Sequence, residues 1–217
     1  MTPATQQALI GLRDLTTLQW YVIPLLAIVF YIYTREIQEA RKTKDWNAVL
    51  AGLTIFGADF FNETWNGWVM YLTQRSAVWT APGPTAFRTL VGWNIEIMFM
   101  FTLLGIVYYR TLSESRNERI LGVPEKWFWA VAYSVLCVFV ECLLNLGGHL
   151  VWEYRYWRLS FEGVWLIFLF GYFQFFFWAA CVIGFKTWKT KLTTVGILYA
   201  VPIVMNILAF GVFNWRY

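Results

Sequence analysis

The chain has 217 residues, 59% hydrophobic and 21% aromatic, with 14% charged and a formal net charge of +4. A soluble domain carries about a quarter charged residues, so this composition excludes an ordinary soluble protein. It also speaks against nucleic-acid binding, because the basic residues sit on short loops between apolar runs and flank no base-stacking motif.

Residues 1–17 are polar with scattered Leu9, Ile10, Leu12 and Leu15, which predicts a short interfacial helix rather than a secretory signal. Apolar runs of the length that crosses a bilayer, about 20 residues, then recur at 18–34, 47–73, 86–109, 127–151, 161–185 and 191–214. Little chain remains between them. The expectation is an all-α, polytopic membrane helical bundle of six transmembrane helices, folded as a single domain over residues 1–217.

The connections carry their own signals. REIQEARKTKDW at 35–46 is charged and predicts a helical extension of the first span along the membrane surface. PGP within 74–85 breaks helix, and Gly122 with Pro124 punctuates the 111–126 loop. WEYRYWRLS at 152–160 mixes charge and aromatics, as at a membrane interface. Eleven of the seventeen basic residues follow the first, third and fifth spans: Arg35, Arg41, Lys42 and Lys44; Arg110, Arg116, Arg119 and Lys126; Lys186, Lys189 and Lys191. The positive-inside rule makes that side cytoplasmic, so a multi-pass protein of the cell membrane with both termini outside is expected. Trp20, Tyr21, Trp79, Trp127, Trp157 and Trp215 fall at span ends, where interfacial rings belong. Cys137, Cys142 and Cys181 lie in apolar spans without CxxC spacing and read as free thiols.

The second span departs from this pattern. Asp59, Asn62, Glu63 and Asn66 follow i, i+3, i+4, i+7, which puts four polar side chains on one helix face. That face must look into the bundle, since lipid offers no partner. The fourth span repeats the arrangement with Glu141, Asn145 and His149, and the third adds Asn94 and Glu96. At a rise of about 1.5 Å per residue, Glu63 lies roughly 24 Å in from Asn47, Glu141 roughly 21 Å from Trp127, and Glu96 roughly 16 Å down from Thr85. Three helices thus bring carboxyls to similar depth, and Lys or Arg enters a span only at its very end, as Arg88 and Lys191 do. Arg88 and Arg155, near the outer ends, are the closest cations. Buried carboxyls without cationic partners take up protons, share them, or hold a cation from elsewhere. Catalytic candidates are therefore Glu63, Glu96, Glu141 and Asp59. Asn62, Asn66, Asn94 and Asn145 orient them or glue helices together, and His149 stands at the outer mouth.

Asn62-Glu63-Thr64-Trp65-Asn66 and Trp93-Asn94-Ile95-Glu96 resemble the second- and third-helix motifs of the short integral-membrane terpene cyclases of meroterpenoid pathways, with Glu63 as the acid and Asn66 where that family carries one. The resemblance implies a small all-helical membrane enzyme whose carboxylic acids start cyclisation without a required metal, and it brings Trp65 and Trp93 forward as substrate contacts. The chain also resembles bacterial membrane families to which no activity is attached.

Three functions compete on these residues. An acid–base enzyme of cyclase or isomerase type on an isoprenoid or other lipidic substrate is favoured by acids at one depth, abundant aromatics, and the lack of a nucleotide or haem motif; no cofactor is implied. A transporter or channel for protons, metal ions or cationic solutes would use the same carboxyls, but the first three spans do not repeat in the last three. A carboxylate metal oxidase ranks last, because a single histidine at the wrong spacing cannot supply the Glu-x-x-His pairs such bundles use.

Overall fold

The fold was obtained as a computed structural model that describes residues 1–115 and 118–217. Arg116, counted above among the basic loop residues, lies outside the described residues. The chain is mostly helical, in the order α1 (Pro3–Ile10), α2 (Val22–Thr43), α3 (Asn47–Thr73), α4 (Ile95–Thr111), α5 (Glu125–Leu146), α6 (Phe161–Leu166), α7 (Gln174–Gly184) and α8 (Trp188–Asn206). A π-helical segment at Ile167–Phe173 joins α6 to α7 without a break, and another at Ile207–Val212 extends α8.

Helix α3 is the axis of the bundle and packs against α4, α7 and α8. Small residues make this possible. Ala48, Ala51, Gly52, Gly57 and Ala58 are all buried, and a Cβ at Gly105 of α4 would fall on the Ala51 carbonyl. Backbones approach through such small-residue contacts where lipid supplies no hydrophobic drive between helices. Ile55, Phe101, Tyr108, Phe175 and Phe176 fill the space around this contact.

Length and composition mark Glu125–Leu146, Phe161–Gly184 and Trp188–Val212 as able to cross a membrane. The first three expected spans are less clear, for visible reasons. Helix α2 continues from its apolar half into its charged half as far as Thr43, the helical extension expected of 35–46, and α3 carries its acids. The 86–109 span is shortened at its start. Residues 88–94 form a hairpin of β2 (Arg88–Leu90) and β3 (Trp93–Asn94), and α4 begins only at Ile95, where Asn94 caps it by accepting from the Ile97 N–H. The 127–151 span likewise stops at Leu146, where Gly147 and Gly148, the latter at φ +72°, turn the chain.

Two further ribbons complete the architecture. β1 (Trp79–Thr80) pairs antiparallel with β6 (Val151–Trp152), setting Trp79 opposite Trp152. β4 (Arg119–Ile120) and β5 (Val123–Pro124) close a hairpin on Leu121 and Gly122, both at positive φ, which suits a tight two-residue turn. The β1–β6 and β2–β3 ribbons, α1 and the C-terminus form a cap over one end of the bundle. Arg13 donates to the Tyr217 carbonyl (2.9 Å), Thr2 to the Glu153 carboxylate (2.8 Å), and the Arg13 N–H to the Arg88 carbonyl (2.8 Å). Both chain ends therefore lie at the same end of the molecule. The N-terminal helix is part of this cap, with Thr5 and Ala8 buried. The three cysteines are free thiols, as expected.

Candidate functional site

Three of the four expected acids meet. Asp59, Glu63 and Glu141 are 3%, 4% and 7% exposed, and all three line one hollow of about 60 Å³ under the cap. Asp59 and Glu63 arrive from successive turns of α3, and Glu141 from the facing side of α5. Aromatic rings close the space, among them Trp79, Phe101, Trp157, Tyr172 and Phe175. The π-helical segment swells the helix where it passes the hollow and supplies Gly171 and Tyr172 to the wall. Such segments recur at functional sites.

Each carboxyl is met by an indole. Trp93 donates its ring N–H to Asp59 Oδ2 at 2.7 Å, Trp79 to Glu63 Oε1 at 2.8 Å, and Trp152 to Glu141 Oε1 at 2.9 Å. Neutral donors thus take the place of cations. The strands aim these donors. Trp79 and Trp152 are cross-strand partners in the β1–β6 ribbon, and Trp93 sits on β3. Asn66 fixes β1 onto α3: its Oδ1 accepts from the Val78 and Trp79 backbone N–H groups (2.7 and 3.2 Å), and its Nδ2 donates to the Trp79 carbonyl (2.7 Å). Gly92 is needed between the ribbons, since a Cβ there would stand 2.6 Å from both Glu63 Oε2 and the Trp79 ring.

Among the described residues, Glu63 Oε2 has no hydrogen-bond partner although it is buried, and neither does the buried indole N–H of Trp157. Unpaired buried polar atoms are rare enough to require an explanation. Both residues line the hollow. A second, larger hollow of about 470 Å³ adjoins it, lined by Phe61, Trp65, Leu166 and Phe170, and shares Asn62, Trp79 and Trp157 with the first.

The remaining candidates sit elsewhere. Glu96 does not reach the hollow. It occupies the first turn of α4, half-buried, and accepts from the Tyr21 hydroxyl (2.5 Å), the Thr85 hydroxyl (2.5 Å) and the Ala86 N–H (2.8 Å). The depth expected for it counted helical rise from Thr85, ten residues before the helix begins. Asn94 is the cap of α4, and Asn145 donates to the Leu150 carbonyl (3.0 Å), closing its own helix end. His149 is exposed on that turn. Asn62 lies at the junction of the two hollows, donating to the Phe170 carbonyl (3.2 Å) and accepting from Gln174 (3.0 Å). Trp65 is exposed beside the larger hollow, its ring 6.0 Å from that of Trp79.

Arg88 does not pair with the acids of the hollow. It is buried in the cap, donating to the carbonyls of Ala81, Ala8 and Gly83; burial draws its pKa down and the Glu96 carboxylate opposes that shift. Trp79 and Trp157 are corrected too. Expected at the interface as anchors, they stack on each other (5.5 Å, 25°) as the wall between the hollows. Trp79, Trp152 and Tyr172 were not among the expected site residues. The available signal for the first two was a Trp just outside an acid-bearing helix, which reads equally well as an interfacial anchor. Among the described residues no three His, Cys, Asp or Glu side chains come together as a metal-ligand set.

A family model described as "Uncharacterized membrane protein family" matches residues 2–211. A protein of Archaeoglobus fulgidus, described as an uncharacterized protein, is 42% identical over 215 residues, covering 99% of each chain. No solved structure matches.

Proposed function

We propose that this chain, which belongs to the uncharacterized membrane protein family, is an integral-membrane enzyme performing acid–base chemistry on an isoprenoid or other lipidic substrate. In this reading it sits in the cell membrane as a multi-pass bundle of six crossings, with the cap and both chain ends outside. The observation that carries it is Glu63: one carboxyl oxygen is held by Trp79, while the other is buried, unpaired, and set in a hollow with two further carboxyls.

Glu63 in its protonated form is the general acid, delivering its proton from Oε2 to the reacting group of the substrate. Positive charge that develops on the substrate faces the Trp79 and Trp157 rings, whose π faces stabilise cations. Glu141, held in orientation by Trp152, takes up the proton released when the cation collapses, and return of that proton to Glu63 restores the starting state, so the cycle is proton-neutral. A protonated acid beside an ionised one is the arrangement such chemistry uses, and Asp59, held by the Trp93 indole, is the third carboxyl of the group. The adjoining apolar hollow suits a hydrocarbon chain. The resemblance to the meroterpenoid terpene cyclases fits in chemical terms, with Glu63 as the starting acid and Asn66 given to structure.

Glu63→Gln is expected to lower turnover by at least a hundredfold, the scale of general acid–base catalysis, with an unchanged melting temperature. Product formation at the wild-type rate in a folded Glu63→Gln protein would end this assignment. A second reading, transport of protons or a small cation, draws on the same three carboxyls in a hollow that, among the described residues, no Lys or Arg lines. Ion flux into liposomes that disappears in both Glu63→Gln and Glu141→Gln would favour it over catalysis.

A further inference from the structure

Two unpaired groups of opposite character border the same space: Glu63 Oε2 and the Trp157 indole N–H. Trp157 and Trp79 also form the wall where the small hollow meets the apolar one of about 470 Å³. We propose that the two hollows together bind a single-chain lipid alcohol drawn from the bilayer, its hydroxyl between Trp157 Nε1 and Glu63 Oε2 and its chain along Phe61, Trp65, Leu166 and Phe170. The proposal names the substrate class of the acid–base reading and rests on that reading only for what happens to the hydroxyl afterwards.

The chemistry of the walls selects this ligand. A hydroxyl oxygen carries two lone pairs, so it accepts from the indole N–H and from the protonated Glu63 Oε2 at once. A hydrocarbon would leave both unpaired, and an unmade buried hydrogen bond costs affinity. A phosphate or diphosphate ester would bury its charge among the carboxyls of Asp59, Glu63 and Glu141 with no compensating cation, since among the described residues no Lys or Arg lines either hollow. The small hollow, at about 60 Å³, takes only the polar end of a molecule. The rest must lie in the larger space, whose walls include the exposed rings of Trp65 and Phe170. In a membrane-embedded bundle those rings face lipid, so entry is sideways between α3 and the π-helical segment. Asn62, tied to Gln174 and the Phe170 carbonyl at the junction, is the polar step the hydroxyl passes on its way in.

The test is photolabelling of the purified full chain in phospholipid nanodiscs, with a farnesol-type alcohol carrying a diazirine on its chain, followed by peptide mapping. Saturable labelling is expected within 61–65 and 166–170. Unlabelled alcohol should displace the probe at a concentration at least tenfold lower than the hydrocarbon of the same chain, and the phosphate ester should displace it poorly. Trp157→Phe keeps the ring and removes the N–H; it should erase the preference for alcohol over hydrocarbon while leaving the melting temperature and hydrocarbon competition unchanged. Equal displacement by alcohol and hydrocarbon in the wild type, displacement by the phosphate ester as effective as by the alcohol, or labelling spread without saturation over the lipid-facing helices would each overturn the proposal. Turnover is not read, so a Glu63→Gln protein that still forms product sinks the catalytic assignment and leaves the alcohol site standing.

Discussion

Asn66 and Trp93 show what single side chains contribute here. Asn66 uses its amide for three bonds to the β1 backbone, and its removal by Asn66→Ala would strand two N–H groups and a carbonyl in a buried place. At about 1–3 kcal/mol per unmade buried bond, that variant is expected to lose about 3 kcal/mol or more, read as a lower melting temperature in detergent. The loss should also free Trp79 from Glu63, because Asn66 is what aims it. Trp93 tests the indole clamp directly. Trp93→Phe keeps most of the ring stacked on Phe60 (5.4 Å, 12°) but takes the donor from Asp59, leaving a buried carboxyl without its partner. Removing both partners is milder than removing one, so the Asp59→Leu/Trp93→Phe double variant should melt above Trp93→Phe alone. A double variant that melts lower would mean that Asp59 has other buried partners and that the clamp is not what holds it.

At the scale of elements, the crossing of α3 and α4 and the free face of α8 make opposite demands on glycine. Gly105→Ala places a methyl on the Ala51 carbonyl, so the helices must part. Gly196, within α8, has no neighbour within 4 Å of the added carbon. There alanine should gain about 0.5–1 kcal/mol by reducing the freedom of the unfolded chain, while Gly105→Ala lowers the melting temperature; the pair is compared in one thermal scan. Elements also explain how much of the site could be read from the sequence. Asp59 and Glu63 were legible because spacing of four fixes a shared face on any helix, whatever surrounds it. Glu141 was legible from its burial in an apolar span. Glu96 was misread because the 86–94 run is apolar enough to pass for the start of a helix, whereas Gly92 and the Asn94 cap make it a hairpin. The indole donors were hidden for a different reason. Trp79 and Trp152 become neighbours only through the pairing of two two-residue strands far apart in the chain, and no local period announces such a pairing.

The whole molecule is electrically lopsided in a way that fixes its expected orientation. All six lysines, Lys42, Lys44, Lys126, Lys186, Lys189 and Lys191, lie at the end opposite the cap, together with Arg35, Arg41, Arg110 and Arg119. The capped end carries arginines only, and several are tied to backbone: Arg13 to Thr89 and Tyr217, Arg75 to Glu153, Arg88 to three carbonyls. The positive charge that retains a loop in the cytoplasm is therefore concentrated at the end opposite the cap. Lys42, Lys44, Lys186 and Lys189 are exposed, and so is Met1 at the capped end. A membrane-impermeant amine-reactive reagent should consequently modify the α-amine, and none of these four lysines, when applied to intact cells. Applied to inverted membrane vesicles, it should modify the four lysines and spare the α-amine. The opposite pattern would place the cap and the mouth of the acid hollow on the cytoplasmic side. Lysine labelling together with the α-amine in intact, unlysed cells would show that the lysine-rich loops and the chain ends share one side, and the membrane-crossing bundle itself would have to be redrawn.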